Sequence, residues 1–125
     1  MTRKVSLFLF TTLLFSCGSI YNLNGTWIAT GYECPNHQRK IEIIEINQDR
    51  DSVIATKLEG DHCIEAGEIT FLGEIRDDKI VGVMNAGNPT TKERIQYPME
   101  MIILNNDSLV LEIDEGKRIT FSREI

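Results

Sequence analysis

The sequence predicts an all-β domain, an antiparallel meander of eight strands closed into a barrel, and three observations predict it. Apolar residues fall in brief runs broken by turn residues at intervals of roughly 8–12. No amphipathic stretch of helical period runs beyond about two turns. The connections between runs are short, which makes neighbouring strands antiparallel. Eight such strands could form a two-sheet sandwich, but closure is favoured because it removes both exposed edges.

The strands are expected at 25–32, 39–47, 52–59, 67–76, 79–85, 93–104, 108–113 and 117–123. Between them lie turn formers: Gln48-Asp49-Arg50-Asp51, Gly60-Asp61, Asp77-Asp78, Gly87-Asn88-Pro89, Asn105-Asn106-Asp107 and Asp114-Glu115-Gly116. Side chains two apart share a face of a strand. Ile69, Phe71 and Ile75 therefore form one inward face, and Ile95, Tyr97, Met99, Met101 and Ile103 the longest apolar row in the chain. Leu109, Leu111 and Ile113 repeat the pattern, and Ile119, Phe121 and Arg123 share the last inward phase. The run from Ile41 to Ile46 changes phase between Ile43 and Ile44, which predicts a bulge.

Ahead of this domain stand basic Arg3-Lys4, an apolar and hydroxyl run from Val5 to Phe15, and small Ser16, the layout of an export signal. The run of about eleven residues is short of the roughly twenty that span a bilayer. Leu14-Phe15-Ser16-Cys17 resembles the lipobox of bacterial lipoproteins, with Phe15 where a small or β-branched residue is usual. The resemblance implies that residues 1–16 are a signal peptide and that Cys17 is the lipidated N-terminus, carrying diacylglyceryl and an acyl chain such as palmitate. Residues 17–24 then form a tether and 25–125 the barrel domain. At about 0.8 kcal/mol per buried methylene, two or three chains hold a protein on a membrane. Gly18 and Ser19 carry no acidic sorting signal, so the resemblance further implies the outer membrane, on its periplasmic side.

Residues 1–16 hold two of the thirteen basic side chains and none of the nineteen acidic ones, so the mature chain would carry a net charge of −8. That balance excludes nucleic acid as a partner. With Cys17 assigned to lipid, Cys34 and Cys63 are an even pair in an oxidising compartment, and a disulfide is expected. It would contribute about 3 kcal/mol in the chain-entropy account. The alternatives are a metal site built from Cys34, His37, His62 and Cys63, or two thiols. Adjacent His62 and Cys63 point to opposite faces of an extended segment, which disfavours the metal.

Asn24-Gly25-Thr26-Trp27 resembles the Gly-x-Trp opening of lipocalin-like (calycin) barrels. The resemblance implies that Trp27 plugs the closed end and that Arg123 packs over it. Ala55 to Asp61 and Ala66 to Phe71 resemble a strand-turn-strand segment in the barrel domain of F-box and Executer proteins, with Glu65 where those have proline. Tyr32-Glu33-Cys34-Pro35 resembles the start of lipid-anchored C-type lysozyme inhibitors, whose Ser-Gly-x-x-Tyr loop is missing.

No phosphate loop and no nucleophile elbow is present. Asp77-Asp78 and Asp114-Glu115 sit at hairpin turns, where acidic residues serve turn geometry, so no catalytic residues and no cofactor are expected. An eight-stranded barrel either fills its interior or holds one small ligand. Trp27, Phe71, Met84, Tyr97, Met99 and Met101 are the candidate walls for an apolar ligand, the methionines supplying adaptable surface. The competing expectation is a filled barrel that recognises a protein or peptide through its loops.

Overall fold

The computed structural model describes residues 20–31, 41–59, 64–87, 90–113 and 116–124. Eight strands run in order: β1 (Gly25–Thr30), β2 (Ile41–Asp49), β3 (Ser52–Lys57), β4 (Ile69–Arg76), β5 (Lys79–Gly87), β6 (Arg94–Asn105), β7 (Ser108–Glu112) and β8 (Arg118–Arg123). Every consecutive pair is antiparallel, and β1 pairs β8 through Trp27↔Arg123 to Thr30↔Thr120, so the sheet closes into a barrel. Closure leaves neither sheet edge open over the paired length, which is the physical reason a meander of this kind prefers a barrel to a sandwich.

The interior is filled along most of its length. Leu23, Trp27, Ile44, Ile46, Val53, Phe71, Ile80, Met101 and Leu109 are each 1% exposed or less, and Met99, Ile103 and Leu111 join the same cluster. Phe71 and Phe121 meet edge to face across the barrel with ring centroids 5.9 Å apart.

Two local expectations are corrected. β2 carries no bulge, because it pairs β1 in unbroken register from Gly25↔Ile46 to Thr30↔Ile41. Its inward residues are Glu42, Ile44 and Ile46, with Ile43 half-buried on the outer face. The apparent change of phase arises because a charged residue occupies an inward position. The irregularity lies instead between β3 and β4, where Ala55 pairs Phe71 but Thr56 pairs Ile69. Thr70 is the extra residue of that bulge, and its hydroxyl donates to the Ala55 carbonyl at 3.2 Å. Thr70 is consequently buried and Ile69 turned outward, the reverse of the alternation the sequence suggests.

A directly paired Gly73↔Gly82 joins β4 to β5 on the inward face. A Cβ on Gly82 would stand 2.0 Å from the Leu72 carbonyl oxygen, and one on Gly73 2.5 Å from that of Val81. The two backbones are coiled so tightly here that only glycine fits, a common way of turning a barrel corner.

The meander gives the barrel two unlike ends. One gathers the start of β1, the β2–β3, β4–β5 and β6–β7 hairpins and the end of β8, while the other gathers the remaining four connections. The segment 20–24 lies across the first end and is sewn to it. Tyr21 Oη donates to Asp78 Oδ1 at 2.6 Å, Asn22 N to Asn106 Oδ1 at 3.0 Å and Leu23 N to Gln48 Oε1 at 2.8 Å, while Gln48 N donates to Asn24 Oδ1 at 2.7 Å.

Candidate ligand cavity and the sealed end

Trp27 and Arg123 seal the end that carries the 20–24 segment. Trp27 is fully buried, and its indole N–H donates to the Leu23 carbonyl at 2.9 Å. The Arg123 guanidinium lies over the indole at 4.9 Å from the ring centroid. It also donates to the carbonyls of Asn22, Asn24 and Asn106 and to the Asp107 carboxylate at 3.0 Å. Glycine is required opposite it: Gly25 has φ of +139°, and a Cβ there would lie 3.0 Å from Arg123 Nη1.

At the other end the barrel holds a cavity of about 320 Å³. Its apolar walls include Ile44 and Ile64, Phe71 and Phe121, Met84 and Ile119, with Tyr97 and Ile113 also lining it. The volume is at the lower end of the about 300–1,000 Å³ typical of small-molecule sites. Phe71, Met84 and Tyr97 of the predicted ligand-binding residues are brought together here. Trp27, Met99 and Met101 are not: Trp27 sits in the sealed end, and both methionines pack in the core as gap-fillers. Tyr97 and Ile95, expected to continue the inward row of β6, are 50% and 45% exposed. The reason is length, because β6 pairs β7 only from Met101 onward while its first half pairs β5 alone.

The cavity also has a polar side that sequence reading did not find. Glu42 lines it at 8% exposure, and Lys57 Nζ stands 3.3 Å from Glu42 Oε1 with the lysine 2% exposed. An ion pair taken out of water forfeits hydration that its mutual attraction only partly returns, so a hydrophobic pair in its place would be at least as stable. The charged residues at inward phase, Glu42 two before Ile44 and Lys57 two after Ala55, were the available signal. Thr70 and Asn85 complete the polar side, with Asn85 Nδ2 donating to the Ile69 carbonyl at 2.9 Å. Beside the mouth, Arg94 holds Glu68 through two hydrogen bonds of 2.9 and 3.1 Å, which keep the Glu68 carboxyl below its ordinary range.

Cys17, Cys34 and Cys63 lie outside the described residues, as do His37, His62 and the pair Asp114-Glu115. Among the described residues no group of three or more His, Cys, Asp or Glu side chains is placed to hold a metal ion. Comparison with protein-family models, with curated proteins and with solved structures finds no match to this chain.

Proposed function

We propose that this protein is a lipid-anchored, non-catalytic binding protein of the cell envelope that holds a small apolar ligand or lipid in a lipocalin-like barrel. The observation that carries the reading is the asymmetry of the two ends. One is closed by Trp27 under Arg123, while the other keeps about 320 Å³ of largely apolar space above the Phe71–Phe121 contact. A cavity with several apolar walls and a few convergent polar groups is the usual form of a small-molecule site. Cys17 is the lipidation site and the outer membrane, on its periplasmic side, the location. The Cys34–Cys63 disulfide belongs to the same reading. It is supported by the topology, since the β1–β2 and β3–β4 connections both leave the barrel at the cavity end, on either side of β2.

Native mass spectrometry of the protein purified from its own host tests the proposal. The expected result is a co-purified small apolar molecule that is lost in Met84→Trp, whose indole would fill the cavity. A wild-type chain that carries no small molecule but retains a bound protein would replace the reading by recognition through the loops. That second reading is favoured by one feature, the exposed apolar rim formed by Ile95, Tyr97 and Ile113. A protein- or peptide-binding module, including one of the lysozyme-inhibitor type, would use that rim.

A further inference from the structure

The polar side of the cavity is dominated by hydrogen-bond acceptors. Glu42 presents a carboxylate, which when ionised only accepts. Thr70 has committed its hydroxyl proton to the Ala55 carbonyl, so toward the cavity its oxygen accepts. Asn85 spends one amide N–H on the Ile69 carbonyl, leaving one further N–H beside its acceptor oxygen. The lysine that balances Glu42 does not face the ligand space: Lys57 is absent from the lining and 2% exposed. The remaining cation, Lys117, is an exposed residue of the mouth, where water screens it. Both Glu42 and Thr70 are more than nine-tenths buried, so their demand is felt in a poorly screened setting.

We infer that the cavity selects amphiphiles whose buried polar group donates hydrogen bonds, an alcohol or a primary ammonium, and rejects those that bury a carboxylate. The inference rests on the cavity being a ligand site, as proposed above, and specifies the ligand's head. An apolar body of modest length would lie against Phe71, Met84 and Phe121. Its hydroxyl or ammonium would donate to Glu42 and Thr70. A carboxylate in that position would meet Glu42 as a like charge and Thr70 as a competing acceptor.

Calorimetric titration of the full, host-processed protein in zwitterionic nanodiscs, with empty discs as reference, tests this with three probes sharing one chain: hexanol, hexylamine and hexanoate. Hexanol and hexylamine should bind, and hexanoate at least about ten-fold more weakly. Glu42→Gln should abolish the preference for hexylamine over hexanoate while hexanol still binds. Because that change also alters the surroundings of buried Lys57, Thr70→Val serves as a second variant and should weaken hexanol binding without removing the ion pair. Hexanoate binding as tightly as the other two would overturn the head-group inference and leave the carrier reading standing. Failure of all three to bind would overturn both.

Discussion

Arg123 joins three separate pieces of chain: it covers Trp27, accepts the tether carbonyls of Asn22 and Asn24 as partners, and reaches the β6–β7 turn at Asn106 and Asp107. Arg123→Ala should therefore cost about 2–4 kcal/mol in urea unfolding, combining the cation–π contact with charged hydrogen bonds. Arg123→Lys should recover only part of this, since an ammonium cannot reproduce the planar fork. Trp27, the only tryptophan in the chain, should emit at short wavelength and resist iodide quenching, with the quenching restored in Arg123→Ala. The ion pair behaves differently. Lys57→Met should destabilise by about 3–5 kcal/mol, because Glu42 stays buried beside an apolar chain. Adding Glu42→Gln to Lys57→Met should return much of that loss, and a double-mutant cycle by thermal melts measures it. Met99→Trp is expected to overpack the core at a cost of about 1–3 kcal/mol. Equal stability of this variant and wild type would show space beside Met99 that the packed core lacks.

All eight strands were legible, with limits two residues or less from those predicted, because turn residues and period-two alternation are local signals that the barrel does not override. What failed was the reading of phase wherever polarity and orientation disagree. Glu42 and Thr70 are polar yet inward, one held by an ion pair and the other by a bulge, and neither cause lies within its own strand. The Gly73↔Gly82 pairing was equally hidden, since register across a hairpin is invisible until the hairpin is built. Gly82→Val should prevent folding or strongly lower the melting temperature, whereas Val83→Ala on the outer face should change it little. At the mouth, Arg94 lowers the Glu68 pKa, so the pair's stabilisation is complete above the ordinary carboxyl value of 4.5 and is lost as pH falls through the lower folded value. The difference in melting temperature between wild type and Arg94→Met should accordingly shrink below pH 4.5 and in high salt. A difference independent of pH would assign Arg94 a packing role instead.

For the whole molecule, closure followed from eight short strands in sequence, but the cavity did not, because free volume depends on how far strands stagger and which rings meet inside. Phe71, Met84 and Tyr97 were found by alternation; Ile64, Glu42 and Thr70 required the assembled barrel. Two predictions concern the proposed covalent chemistry. Intact mass should rise on reduction and alkylation by the increment of a Cys34–Cys63 disulfide, and stoichiometric zinc on reduced protein would reverse that assignment. An alkynyl fatty acid should label the chain and fail to label Cys17→Ser. With Cys17 acylated, the fold sets an orientation. Four residues separate Cys17 from Tyr21, which is pinned to Asp78 at the sealed end, so that end stands within about 14 Å of the bilayer. The tilted strands carry the mouth roughly 15–20 Å further out. The anchoring leaflet is then the one surface the opening does not see, and cargo must arrive across water or by hand-over from a component on the far side.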